Sequence, residues 1–236
     1  MRHQLFGCAI ALAACGAASA GVITIDDFSS GPFSASITSG NVVLQQSGTM
    51  LGGQRDIGLE VLSNPFSQFL DAGVGPDGLG LTFSSGIGLE GQLALDYDGS
   101  TDVETGNLPF VAGEGLNLAL TGLTSIDFGF LAADLDFEIL VVLQTLEGGM
   151  VMDTDQVDAD VDGGTMGPFT VSVMLSDFDI DLSDVDRIGI LFNFEGDDGP
   201  TGSLDFVLSD ITIVPAPGAI ALLGLAGLAG TRRRRG

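Results

Sequence analysis

Asp56-Ile57-Gly58-Leu59-Glu60-Val61 sets apolar side chains at every second position. Successive side chains of a strand point to opposite faces, so Ile57, Leu59 and Val61 share one face. Similar short runs stand at 22–25, 79–83, 93–97, 137–143, 169–175, 188–194 and 204–214. Between them lie Asp98-Gly99, Asp162-Gly163-Gly164 and Glu195-Gly196-Asp197-Asp198-Gly199, residues that favour tight turns. Glycine is abundant and helical periodicity is scarce, so the spacing predicts an all-β chain, a two-sheet β-sandwich or jelly roll.

The two ends read differently. Residues 1–20 carry Arg2, an apolar core and Ala18-Ser19-Ala20, the layout of a secretory signal peptide cut by signal peptidase after Ala20. A second reading stays open there, because Leu12-Ala13-Ala14-Cys15 resembles a bacterial lipobox with Cys15 lipidated. Residues 214–236 run VPAPGAIALLGLAGLAGTRRRRG. The uncharged stretch at 218–230 satisfies its own backbone hydrogen bonds as a helix in lipid. At 1.5 Å per residue it reaches roughly 20 Å, short of the ~30 Å hydrocarbon core, so it suits transient anchoring. Arg232, Arg233, Arg234 and Arg235 are expected to stay cytoplasmic and leave everything upstream outside. Pro215 and Pro217 are expected to keep the preceding chain extended and open to a protease.

This tail resembles the PEP-CTERM sorting signal of exported Gram-negative proteins, in which a Pro-Glu-Pro motif, a hydrophobic segment and an arginine cluster follow in that order. Here the motif is Pro215-Ala216-Pro217, with alanine in place of the family's glutamate. The resemblance implies removal of the tail by a membrane exosortase, export through the inner membrane, and a final place at the cell surface or in the extracellular matrix. A plain C-terminal membrane anchor is the alternative. The chain thus divides into a signal peptide at 1–20, an acidic sandwich at 21–213 and a sorting tail at 214–236, with helices expected only in the two end segments.

Without those ends the chemistry is narrow. The sandwich keeps two basic residues, Arg55 and Arg187, against 32 acids, a net charge of about −30, and contains no Cys, His or Lys. This inventory excludes Ser-His-Asp and Cys-His nucleophiles, zinc sites of the usual ligands, Schiff bases and disulfides. Such a charge repels phosphate backbones, so no nucleic-acid partner is expected, and it favours cations. The two arginines are expected to be structural clamps that satisfy carboxylates or carbonyls.

Asp158-Ala159-Asp160-Val161-Asp162-Gly163 has the carboxylates and glycine that open a calcium loop, making Asp158, Asp160 and Asp162 candidate calcium ligands. Phe169 stands where an EF-hand places its bidentate glutamate. The other reading is an exposed edge strand with aspartates on its wet face, ending in a Gly-Gly hairpin. Asp177-Phe178-Asp179-Ile180-Asp181-Leu182 alternates just as regularly and is expected to be a strand with a solvated acidic face.

Ile25-Asp26-Asp27-Phe28 and Leu204-Asp205-Phe206-Val207-Leu208-Ser209-Asp210-Ile211 resemble the first and last strands of jelly-roll carbohydrate-binding modules. That resemblance implies the architecture more than a ligand, since the chain has no Trp and one Tyr to stack against sugar rings. The leading functional expectation is a non-catalytic surface or matrix protein associated with extracellular polysaccharide or divalent cations. The alternative is a carbohydrate-binding or adhesive module with structural calcium. A polysaccharide hydrolase using a carboxylate pair comes third.

Overall fold

In the computed structural model, the described residues are 21–75, 77–100, 115–148, 150–194 and 200–216. Among the described residues thirteen strands build two antiparallel sheets. The seven-stranded sheet contains β1 (Ile23–Asp26), β2 (Phe33–Ile37), β5 (Leu70–Val74), β6 (Leu81–Ser85), β8 (Leu123–Ala133), β11 (Thr165–Met174) and β13 (Asp205–Pro215). Its order is β11-β8-β13-β6-β5-β2, with β1 beside the far half of β13. The six-stranded sheet contains β3 (Asn41–Ser47), β4 (Gln54–Ser63), β7 (Glu90–Tyr97), β9 (Phe137–Glu147), β10 (Met150–Val161) and β12 (Arg187–Phe192), in the order β10-β9-β12-β7-β4-β3. The two segments that resemble terminal jelly-roll strands are hydrogen-bonded neighbours, Ile23 opposite Ile213 and Asp26 opposite Ile211.

Alternation decides what faces inward. Ile57 and Leu59 of β4 are buried between the sheets as their spacing predicts. Extending that period backward places Arg55 on the same inner face. Phenylalanines from both sheets fill the centre, with Phe206 stacked on Phe83 at 5.0 Å and on Phe137 at 5.1 Å. Phe130 meets Phe206 edge to face at 5.8 Å. Such ring pairs add about 0.5–1.5 kcal/mol each beyond the apolar area they bury.

Toward one end of this core sits a polar cluster. Arg55 is 1% exposed and Asp26 and Tyr97 are fully buried. The Arg55 guanidinium donates to Asp26 Oδ2 and to Gln46 Oε1, and Tyr97 Oη donates to the same Asp26 oxygen at 3.0 Å. The other Asp26 oxygen accepts from the Phe28 backbone at 2.8 Å, which holds Phe28 in a left-handed conformation with φ of 55°. The guanidinium lies 5.0 Å from the Phe28 ring centre and 5.3 Å from that of Phe33. This favourable cation–π geometry gives the buried charge apolar as well as polar neighbours.

Three expectations are corrected. Gly163-Gly164 is no hairpin: β10 pairs within the six-stranded sheet and β11 within the other, so the glycines carry the chain between sheets. Asp177 to Leu182 is no strand either. Asp177 closes a single 3-10 turn at Leu175–Asp177, and the residues after it run on as an irregular segment. Its apolar positions turn toward the core, with Phe178 buried, while Leu182 gives its carbonyl to Leu120 N at 2.7 Å. Period two therefore marked an extended loop whose apolar face is satisfied without a ladder partner. Finally, the sandwich extends past residue 213: Val214 and Pro215 belong to β13, where Pro215 is buried opposite Leu123. The first residue of the sorting motif is thus folded into the last strand rather than exposed.

Among the described residues no helix is long and apolar enough to cross a membrane. The expected terminal helices, and with them Ala18, Ala20, Pro217 and Arg232 to Arg235, lie outside the described residues.

Burial, and next the Asp26 carboxylate, holds the Tyr97 hydroxyl well above its ordinary ionisation range. A group whose folded pKa is raised contributes stability below its unfolded value of about 10, and that contribution fades as pH rises further. Denaturant titrations from pH 8 to 11.5 should therefore show stability falling above about pH 10. Tyr97→Phe should flatten that decline while costing about 1–2 kcal/mol at pH 7 for the lost hydrogen bond.

Candidate functional site

The outward face of the six-stranded sheet is less polar than alternation suggests. On β9 the run Ile139-Leu140-Val141-Val142-Leu143 is apolar on both faces, and on β12 Leu191 is only 7% exposed. Ala94 and Leu191 pack there with Val43, Leu140 and Phe194 as a second apolar cluster, separate from the core. Beside it lies a groove of about 260 Å³ with Leu140, Val142 and Leu191 on its floor. Gly189 keeps the floor low, since a side chain there would lie against Val142 and Asp96.

Polar groups cross this groove strand by strand. Arg187 Nε donates to Asp96 Oδ1 at 2.7 Å, and Arg187 Nη1 donates to Gln144 Oε1 at 2.9 Å. Gln144 Nε2 then donates to Thr154 Oγ1 at 3.2 Å, and Gln156 lines the same wall. Register explains the order: Arg187 stands opposite Gln144, and Gln144 opposite Thr154. The result is a hydrogen-bonded row anchored by the buried Asp96, whose guanidinium, amide and hydroxyl members line the groove along an apolar floor. Such a surface suits a ligand with apolar C–H faces and many hydroxyls.

The candidate calcium ligands stand elsewhere. Asp158 and Asp160 project from the exposed face of β10, opposite Leu140 and Glu138, and Asp162 follows past the strand end. Asp160 and Asp162 line a second cleft, of about 290 Å³, with Asp136, Glu138 and Thr201. Asp136 is engaged there, accepting from Gly163 N at 2.6 Å. Among the described residues no group of three or more His, Cys, Asp or Glu could hold a metal ion. A straight strand separates same-face side chains by roughly 6–7 Å, whereas calcium requires six to eight oxygens at about 2.3–2.6 Å. In this geometry Asp158 and Asp160 lie along the outer face of the edge strand β10.

The groove carries no motif in the sequence, because its polar members are ordinary strand residues among many acids. Its signal was present in the unbroken apolar run 139–143, which indicates a strand with both faces shielded. Tyr97 is buried and offers no stacking surface for a sugar ring. Both arginines are paired in buried ion pairs, as the clamp expectation required.

No protein-family model matches the chain, and no curated protein matches its sequence. Among solved structures it is similar to the family 11 carbohydrate-binding module from Clostridium thermocellum in complex with a β-1,3-1,4-mixed-linked tetrasaccharide. The identity is 14% and the TM-score 0.41, over 83% of this chain and 96% of that one. It is also similar to a DUF4465 family protein from Bacteroides caccae, at 9% identity and a TM-score of 0.32, over 83% of this chain and all of the other. Both likenesses are distant.

Arg187 is 3% exposed and holds Asp96 and Gln144 in place. Arg187→Ala should lower stability by about 3–5 kcal/mol, because it leaves a buried carboxylate without its cation. Urea denaturation reads this directly, and a variant with wild-type stability would show that the pair is not a clamp.

Proposed function

We propose that this chain is an exported, non-catalytic surface or matrix protein whose acidic sandwich associates with extracellular polysaccharide. The observation that carries the reading is the groove on the six-stranded sheet. It combines an apolar floor with amide and hydroxyl groups and offers no nucleophile of the Ser-His or Cys-His kind. The compartment comes from the end segments, read as a signal peptide and a PEP-CTERM-like tail handled by signal peptidase and an exosortase. A charge of about −30 favours neutral glycans over acidic ones, because an acidic polysaccharide is repelled unless screened.

Affinity electrophoresis through gels cast with neutral or acidic polysaccharides tests the binding. Retardation by at least one neutral polysaccharide is expected, without release of reducing ends. Thr154→Ala with Gln156→Ala should weaken it about tenfold and leave thermal stability within a degree. Chelation tests Asp158, Asp160 and Asp162 in the same gels, and unchanged retardation is expected because Asp158 and Asp160 lie a strand repeat apart and Asp162 stands past the strand end. Loss of binding on chelation would favour the adhesive module with structural calcium.

Intact mass spectrometry of protein recovered from the native envelope and medium tests the sorting. Loss of residues 1–20 and of the chain beyond the Pro215-Ala216-Pro217 motif is expected. Retention of residues 231–236 would mark a plain membrane anchor, and a diacylated Cys15 a lipoprotein.

A further inference from the structure

The sandwich folds over the beginning of its own sorting motif. β13 runs to Pro215, which is buried opposite Leu123 of β8, and the Ala216 amide donates to the Gly122 carbonyl at 3.4 Å. Proteases cut most readily where the chain is exposed and unpaired, and here the motif's first two residues are neither.

The neighbours of β13 set how far its end can peel. Ile213 is fully buried and stands between Ile126 of β8 and Ile23 of β1, so it is held on both edges. β1 starts at Ile23, and from Val214 onward β13 pairs with β8 alone. Residues 214–216 therefore form a short end of roughly 10 Å, at about 3.3 Å per residue, beyond a fixed stop.

That end is held loosely. Val214 is half-buried, and the register shifts between Val214 and Pro215. Proline has no N–H to give to the ladder. The Ala216 bond is longer than the usual distance of about 2.9–3.0 Å. Opening so short an end costs far less than unfolding the sandwich, yet the closed form keeps Pro215 buried.

We propose that the docked end of β13 is a gate on tail removal: the exosortase takes the motif only while residues 214–216 are peeled from β8. This rests on the sorting reading of the tail. Where opening and closing are fast, cleavage tracks the population of the open form. A chain whose last strand has not yet docked is cut at once, and a folded one at a rate set by Val214, Pro215 and their partners on β8.

The test pins the end reversibly. Val214 stands opposite Ser125, and antiparallel partners lie about 4.5–5.5 Å apart at Cα, within disulfide range. Neither cysteine of the chain lies beyond residue 20, so Ser125→Cys with Val214→Cys creates a single bond. The chain from Gly21 to Gly236 is folded into vesicles of its native inner membrane, and tail loss is followed by mass. The oxidised variant should lose its tail about tenfold or more slowly than wild type, and reductant should restore the rate. A flexible Gly-Ser spacer inserted between Val214 and Pro215 should relieve the block in the oxidised variant. Leu123→Ala, which loosens the end from the β8 side without touching the motif, should speed tail loss several-fold. Equal rates for the oxidised and reduced variant, a block that the spacer does not relieve, or an unchanged rate in Leu123→Ala would overturn the gate and leave sorting intact. A wild type that keeps its tail in these vesicles would overturn the sorting reading and the gate with it.

Discussion

One guanidinium, Arg55, sealed between the sheets, is the constraint around which the sandwich is organised. Moving a charge out of water costs several kcal/mol, and the site offsets this only because its partners come from both sheets. Asp26 arrives on β1 of one sheet, Gln46 and Tyr97 on β3 and β7 of the other, and the Phe28 and Phe33 rings close around them. A one-residue slip of β4 would turn Arg55 to solvent and strand Asp26 in the core. The cluster therefore specifies register more than it adds net stability.

The second internal arginine extends the same logic to the outside. Along β7, Asp96 points outward to Arg187 and its neighbour Tyr97 points inward to Asp26. Two adjacent residues thus serve opposite faces of one sheet, and the strand that braces the core also braces the groove. The buried part of the groove's polar row is held from both strands, which on the proposed reading would reduce the ordering cost of binding a flexible glycan.

Much of the architecture was legible. Eight runs chosen by alternation overlap strands, because burial on one face imposes period two. The missed strands have identifiable reasons. Phe33–Ile37 and Leu70–Val74 are interleaved with Ser, Ala, Asp and Gly, too small or polar to stand out. Leu123–Ala133 hides its inward Ile126, Phe128 and Phe130 among glycine and aspartate. Asp177 to Leu182 shows the reverse error, since period two reports alternating environments and says nothing about ladder partners. The groove was the least legible part. It depends on Arg187 meeting Gln144 and Thr154 of the consecutive strands β9 and β10, and that meeting comes only through strand order.

The burial of Arg55 and Arg187 also bears on survival outside the cell. They are the only Lys or Arg residues between Gly21 and Ala216, so every bond in that span that a trypsin-type protease recognises is locked inside the folded sheets. Cleavage there has to wait for the strands to part, and nicking by such an enzyme becomes a clock for opening of the sandwich.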